Sequence, residues 1–420
     1  MRPLLLLSLL AACTDKTEPC EATGETGTLR LTVEAPEGVE GEVTVVDGDG
    51  ERVSATTGEL TVATGLVSVE AHRVRRPGDI VGVVYAPTPA AQSVCVQGGD
   101  SPEVRVSYIE DPASERLYVA DASASRVIAL GADSLASPGA VNPTADFSGE
   151  LTNPGSPAFD PEGRLWVTDA GGPRAWRNGA LGGTSGAPAI VLSGDDAVGG
   201  SVPGPVAIAF DLEGRMFLAK LAEDRVVVFE PEDLEASGSP TAALVISGPG
   251  VVGPRALAFD ADGDLWIANS DSTLSRIDAG RLHDDVSGAD LSIDAEYTGQ
   301  VSGSFSDPTS LAIDADGGLW VAWFGQSAIT RIDTAGLVDG LTVEPEIILT
   351  LPVDVLLTSI ALDEAGGLWF SASAGEIGRL APEELGASAA LNGARWSPAD
   401  MAYADALAFY PPPAFTPIAF

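Results

Sequence analysis

Lysine, histidine, cysteine and long apolar runs are all scarce in this 420-residue chain, and each scarcity excludes something. Lys16 and Lys220 are its lysines, and 22 basic residues face 61 acidic ones for a formal charge of −39. Gripping nucleic acid needs clustered positive charge, so nucleic acid is excluded as a partner. Two histidines, His72 and His283, and three cysteines, Cys13, Cys20 and Cys95, are too few and too scattered for a Cys/His zinc motif. No apolar run reaches the ~20 residues of a spanning helix. Few aromatics, with 48 Gly and 30 Pro, exclude a coiled coil or a collagen-like rod. What is there is 45% hydrophobic residues, enough for a sizeable core, in a length that suits two or more domains. The acidic residues run through both halves of the chain, which reads as solubility and self-repulsion rather than an acidic tail.

The chain opens Met1-Arg2-Pro3, continues through an apolar run from Leu4 to Leu10, and reaches Ala11-Ala12-Cys13. A charged start, a short apolar stretch and small residues describe a secretory signal over residues 1–12. Leu10-Ala11-Ala12-Cys13 resembles the lipobox of bacterial lipoproteins. That resemblance implies cleavage before Cys13, lipid attachment to it, and membrane anchoring through the acyl chains, with residues 13–27 as a polar tether. Thr14 rather than Asp after the cysteine implies the outer membrane of the cell envelope, on its periplasmic or surface face. In that compartment Cys20 and Cys95 are expected to form a disulfide, two free thiols being the alternative.

Residues 28–110 alternate apolar and polar side chains in short runs, as half-buried strands do. Leu29, Leu31 and Val33 share a face, and Val43 with Val45, Val67 with Val69, and Val104 with Val106 repeat the pattern. Turn chemistry separates them at Pro36-Glu37-Gly38 and Asp47-Gly48-Asp49-Gly50. About seven strands in a small β-sandwich are expected. Pro36 to His72 is similar to PEGA or carboxypeptidase-regulatory-like surface domains, and the similarity implies a spacer or adhesion module.

From Glu115 onward the chain repeats. Ser156-Pro157-Ala158-Phe159-Asp160-Pro161-Glu162-Gly163-Arg164-Leu165-Trp166-Val167 recurs from Ala207, Ala256, Ser310 and Ser359, with its aspartate at 160, 211, 260, 314 and 363. Each copy predicts two strands joined by an Asp-x-x-Gly turn, followed by two further apolar runs, which is one propeller blade. Arg116 to Asp121 is a second strand without a first, and Ala406 to Tyr410 is a first strand without a second. The two complete one blade, so residues 115–420 are expected to form a six-bladed β-propeller closed by the C-terminal strand. Seven blades is the alternative, should Trp396 to Tyr403 hide a further unit. The fold class expected is therefore all-β, a six-bladed β-propeller preceded by a small β-sandwich domain.

The repeat resembles NHL-repeat propellers and the group containing gluconolactonases and streptogramin lyases. That resemblance implies ligand binding at one end of the channel, where first strands begin and second strands end. The position five before each repeated aspartate holds Gly155, Val206, Arg255, Thr309, Thr358 and, in the closing copy, Asp405. Second strands end in Asp121, Asp169, Lys220, Asn269, Trp323 and Ala372. Channel-rim ligand candidates are accordingly Asp121, Asp169, Lys220, Arg255, Asn269, Trp323 and Asp405. Gluconolactonase-like proteins carry a divalent cation on acidic and amide side chains, one of them ahead of a first strand. Here Pro254-Arg255 and Pro308-Thr309 lack that carboxylate, leaving Asp405 with Asp121, Asp169 and Asn269 as the set a cation such as calcium would have to use. No cofactor is assigned. Lyase chemistry would need a histidine on the channel, and neither His72 nor His283 falls on a channel-facing element. Asp260-Ala261-Asp262-Gly263-Asp264 reads as a hairpin turn rather than a calcium loop. The aromatics at 118, 166, 217, 266, 320 and 369 occupy one repeated position and read as packing between blades, whereas Trp176 and Trp323 break the repeat and are recognition candidates. The expected function is a lipid-anchored envelope protein whose propeller binds a protein or glycan partner, with a metal-dependent lactonase or related hydrolase as the alternative.

Overall fold

The computed structural model describes residues 20–148, 150–181, 186–198, 206–282, 290–292, 297–335, 337–352 and 355–416. The signal, Cys13 and His283 lie outside the described residues. Two compact units emerge, one of Met1–Arg76 with Val84–Asp111 and one of Pro77–Val83 with Pro112–Phe420.

The first unit holds two sheets. In one, Thr26–Glu34 lies between Gly58–Ala63 and Glu103–Glu110, pairing antiparallel with the former and parallel with the latter. In the other, Glu42–Val46 and Gly65–His72 form the centre, flanked by Arg52–Ala55 and Ala91–Val96. The alternation in sequence is the alternation in burial: Leu29, Leu31, Val43, Val45, Val67, Val69, Val104 and Val106 are each at most 3% exposed. Among the described residues nine strands form where about seven were expected. The added ones, including Val74–Arg76 and Arg52–Ala55, are short edge segments with one or no buried residue, so they carry little apolar signal. A disulfide joins Cys20 to Cys95 with their Cα atoms 5.7 Å apart. His72 ends a strand at the surface, its Nε2 3.3 Å from the Thr44 hydroxyl.

The second unit contains six sheets of four or five strands among the described residues. In chain order their inner strands are Pro157–Phe159, Ala207–Phe210, Pro254–Phe259, Pro308–Ile313, Leu357–Leu362 and Ala406–Tyr410, and each packs on the next until the last meets the first. The ring is closed as the repeats require: Ala406–Tyr410 pairs antiparallel with Arg116–Asp121, so the last inner strand completes the blade that Arg116 opens. This is a β-propeller. Ala394–Pro398 serves as an outer strand of the blade that begins at Leu357, so the stretch around Trp396 makes no seventh unit. Pro77–Val83, which the strand pattern assigns to the small domain, groups with the propeller: Val81 is buried beside Leu117 and Trp369, and the Ile80 carbonyl accepts the Glu364 N–H at 2.8 Å.

Each repeated aspartate is the keystone of its hairpin. Its Oδ1 accepts the backbone N–H four residues on, at 2.7 to 3.0 Å in all five copies. Its Oδ2 takes the indole N–H of Trp166, Trp266, Trp320 or Trp369 wherever the second strand supplies a tryptophan. The turn glycine that follows sits at positive φ, from 72° to 83°, where a side chain would be strained. An arginine then neutralises the buried carboxylate by one of two routes. In two blades it stands four residues after the aspartate, as Arg164 on Asp160 at 2.5 Å and Arg215 on Asp211 at 2.7 Å. In two others that position is glycine and the arginine comes from the third strand, as Arg331 on Asp314 at 2.6 Å and Arg379 on Asp363 at 2.7 Å. A Cβ on Gly367 would stand 2.4 Å from the Arg379 guanidinium, so a side chain there obliges that guanidinium to shift. Asp260-Ala261-Asp262-Gly263-Asp264 is such a hairpin, Asp260 Oδ1 accepting the N–H groups of Asp262 and Asp264.

The joints between blades repeat as well. The residue before each aspartate packs on the second-strand aromatic of the preceding blade: Phe159 on Tyr118, Phe210 on Trp166 and Phe259 on Phe217, with ring centroids 4.9 to 6.4 Å apart. Phe409 meets Trp369 in the same way, and Ile313 and Leu362 join the clusters of Trp266 and Trp320. The aromatic position is packing between blades, as the regularity implied.

A further regularity has no counterpart in the repeat motif. The loop after the third strand of a blade lays a short parallel segment against the outer strand of the blade before it. Asp290–Ser292 does so on Leu244–Ser247, Ala389–Ala390 on Ile347–Thr350, and Gly139–Val141 on Ala394–Pro398. Single bridges, Gly238 to Leu192 and Val343 to Val301, do the same at two other joints. Outer edges that would otherwise offer unpaired backbone groups are thereby covered.

Candidate functional site

The inner strands run along the channel, and counting back from each of the five aspartates, and from Tyr410 in the closing strand, describes its wall. One position back come Phe159, Phe210, Phe259, Ile313, Leu362 and Phe409, the joint residues. Two back, all six blades carry alanine: Ala158, Ala209, Ala258, Ala312, Ala361 and Ala408. Four back, every residue is serine or alanine. Six strands converging on one axis leave room only for small side chains, and each of the six alanines is half-buried. This all-small wall was present in the repeats from the start, as an alanine two before every aspartate.

Five back, uniformity ends. Gly155, Val206, Arg255, Thr309, Thr358 and Asp405 ring one mouth of the channel and together line a cavity of about 630 Å³. Leu221, Asp307, Phe324 and Tyr403 complete its rim. Order around the ring sets Arg255 and Asp405 three blades apart, on opposite sides of the axis. The Arg255 guanidinium has Asp307 at 3.8 Å, while its Nε is buried and meets no acceptor among the described residues. Asp405 Oδ2 accepts the Ala122 N–H at 2.6 Å. Burial pushes the Asp405 carboxyl up to about 6, the Ala122 N–H opposing and the neighbouring Asp121 charge reinforcing the rise. Tyr403 beside it is raised too, by burial and then by Asp405. Between the two charges, Thr358 donates to the Ala404 carbonyl at 2.5 Å and Ser310 to the Ile360 carbonyl at 3.3 Å, so the hydroxyls are held in place.

Of the rim candidates, Arg255 and Asp405 reach this cavity; Asp121, Asp169, Lys220, Asn269 and Trp323 are not part of its lining and are at most 2% exposed. Second strands lie one layer out from the axis, and in three of them the last side chain bonds the loop arriving from the previous blade. Asp169 accepts the N–H groups of Thr152 and Asn153 at 2.8 and 2.9 Å. Asn269 accepts from Val252 and donates to the Gly250 carbonyl, both at 3.1 Å. Lys220 donates to the Asp195 and Asp196 carbonyls at 2.7 and 3.1 Å; burial pulls its ammonium below the usual lysine range, with Glu223 opposing. Asp121 caps its own turn through Ser123 and Ala124. Trp323 gives its indole N–H to Thr330 at 2.8 Å, and Trp176 gives its own to the Gly186 carbonyl at 2.9 Å; both rings are fully buried. Ala372 also lies outside the cavity lining. The residues missed are Asp307, Tyr403 and two just past the second strands: Leu221 follows Lys220 and Phe324 follows Trp323, in the turns that leave those strands, and both line the cavity.

A cation does not fit this arrangement. Asp405 is the one member of Asp121, Asp169, Asn269 and Asp405 that lines the cavity; Asp169 and Asn269 are held by loop backbone groups, and Asp121 by Ser123 and Ala124 on Oδ1 with Arg126 3.7 Å from its Oδ2. Among the described residues no group of three His, Cys, Asp or Glu side chains converges as a metal would require.

With fold and mouth described, the class is a β-propeller, and sequence comparison adds one family. The SMP-30/gluconolactonase/LRE-like region family matches residues 237–361. No curated protein matches the chain. Among solved structures, similarity extends to a streptogramin B lyase at 16% identity and TM-score 0.39, over 55% of this chain and 66% of that one. Virginiamycin B lyase from Staphylococcus aureus is similar at 13% identity and TM-score 0.38, covering 86% of each chain. A Bacteroides caccae protein of unknown function is similar at 10% identity and TM-score 0.47, over 70% of this chain and 97% of that one.

Proposed function

We propose that this chain is a binding protein of the cell envelope, anchored through a lipid on Cys13, in which a small β-sandwich spacer carries a six-bladed propeller that holds a protein or glycan partner at its channel mouth. The observation that carries the reading is the contrast along the inner strands. The rings two and four back are alanine or serine in all six blades, whereas the mouth ring carries glycine, valine, arginine, two threonines and aspartate around a cavity of about 630 Å³. Uniform positions serve packing; an asymmetric ring bordering a cavity of ligand size serves recognition. A mouth-blocking change, Val206→Trp, tests it: binding to a panel of glycans and peptides should disappear while the thermal midpoint stays within a few degrees. Partner binding that survives the block would place recognition elsewhere.

The second reading is a lactonase or related hydrolase, favoured by the family match over residues 237–361. Thermal unfolding with calcium, zinc or manganese against EDTA, followed by a lactone-hydrolysis screen, separates the two. The binding reading expects no metal shift and no turnover. A metal-dependent rise of several degrees that vanishes in Asp405→Ala would favour the hydrolase. Palmitate labelling lost in Cys13→Ala tests the anchor.

A further inference from the structure

Two opposite charges face each other across the mouth cavity without partners adequate to either. Arg255 keeps a buried Nε with no acceptor and a single loose contact, 3.8 Å to Asp307 at the rim. A guanidinium is built for two parallel bonds to a carboxylate, and this one makes none. Asp405 has no cation within ion-pair distance among the described residues, and its one hydrogen bond, from Ala122, occupies Oδ2. The Asp121 carboxylate behind it adds negative charge rather than relieving it. The pair cannot neutralise itself, because the ring order puts the full width of the channel between them. The ring positions between are uncharged, with Thr309 and Thr358 on one arc and Gly155 and Val206 on the other; Leu221, Phe324 and Tyr403 complete the lining with Asp307, the one further charge on it, which stands beside Arg255.

We infer that the mouth cavity binds a small zwitterion of the amino-acid or short-peptide class, its carboxylate on Arg255 and its ammonium on Asp405, with the chain between lying across the channel axis. This rests on the reading of the mouth as the ligand site and adds the chemical class of what enters it. A neutral sugar would leave both charges desolvated and unpaired. A simple anion would satisfy Arg255 and leave Asp405 facing further negative charge in a protein of net charge −39. A zwitterion of matching length satisfies both at once. The raised carboxyl of Asp405, at about 6, fits a group that lacks its counter-charge in the empty cavity.

Titration calorimetry of the full chain with glycine, dialanine and trialanine samples the spacing, and the best binder is then compared with its N-acetylated and C-amidated forms. Each block should weaken binding at least ten-fold. Arg255→Gln should lose discrimination against the amide while keeping it against the acetyl group, and Asp405→Asn should do the reverse. Arg255→Lys, which retains the charge, should recover part of the first loss. Circular dichroism and a thermal melt confirm that each variant is folded. Equal affinity for free and blocked peptides, or no heat with any of the three probes, overturns the zwitterion assignment. A glycan that binds the parent, is lost in Val206→Trp and is indifferent to Arg255→Gln and Asp405→Asn would leave the mouth as the ligand site and sink only its zwitterionic character. Zwitterion binding unaffected by Val206→Trp would move the ligand off the mouth and defeat both.

Discussion

The two ends of the six inner strands obey different rules. At the turn end, five blades repeat one constellation: a buried or half-buried aspartate holding a backbone N–H and, in four of them, an indole, and in four it is matched by an arginine. At the mouth end, 15 Å or so away at ~3.3 Å per residue, no two adjacent blades share a chemistry except the threonine pair, Thr309 and Thr358. The turn end keeps its chemistry even when it must change its source. Arg164, from the hairpin turn, and Arg379, from the third strand, reach the same carboxylate position, so one charge pairing is supplied from two places; Asp260 has no such arginine among the described residues. Nothing holds the mouth end to a common solution, and its side chains are correspondingly free to differ.

That contrast can be broken most forcefully at the turn. Replacing Asp363 with alanine strands the Arg379 guanidinium and the Trp369 indole in a buried site. A loss of about 3–5 kcal/mol is expected, read by urea denaturation of the variant against its parent. Next in size is a transplant between the two arginine routes. Gly367→Arg alone should cost about 1–3 kcal/mol through collision with Arg379. In an Arg379→Ala background the same change should cost at least ~1 kcal/mol less, and an additive pair would show that the two routes are not equivalent.

A smaller and pH-dependent effect is expected at the mouth. Asp405 titrates at about 6 in the folded chain against an ordinary value of 3.8, so the folded state holds this proton more tightly than the unfolded state does. Stability from this group is therefore complete below about pH 4 and is lost as pH rises through 6. Asp405→Asn should raise the thermal midpoint at pH 7.5 by a few degrees and leave it unchanged at pH 4, a scan at the two pH values being enough to see the sign. Least of all should come from Thr309→Val, whose hydroxyl makes only long contacts, 3.3 Å and 3.5 Å, to carbonyls. Less than about 0.5 kcal/mol is expected in the same melt, which would separate the recognition ring from the structural one by roughly an order of magnitude in free energy.

Much of this geometry was legible in the repeats, because a propeller blade converts a fixed offset in sequence into a fixed height in the channel. Counting five back from each of the five aspartates, and from Tyr410 in the closing strand, reaches the mouth ring in all six blades. The ends of the second strands were less legible, and for a physical reason. Asp121, Asp169, Lys220, Asn269 and Trp323 share a level with the mouth but sit behind the inner strands, and height in a blade says nothing about distance from the axis. Polar side chains there read as a rim, yet Asp169, Lys220 and Asn269 secure the crossing loops. The cross-blade parallel segments left no trace in the motif, since they are two- or three-residue pieces of variable loops paired through backbone atoms, which any sequence can supply.

Those segments bear on how the ring comes apart. A propeller held only by its closing strand could lose blades in succession from the terminal pair. Here Gly139–Val141, from the blade that joins the two chain ends, is stitched to the blade before it, and Ala389–Ala390 reaches back to the blade before that. Detaching either blade breaks backbone pairing in a neighbour as well as its own side-chain joints. Amide exchange across the described outer strands should accordingly show one shared opening event rather than a gradient of fraying from the seam.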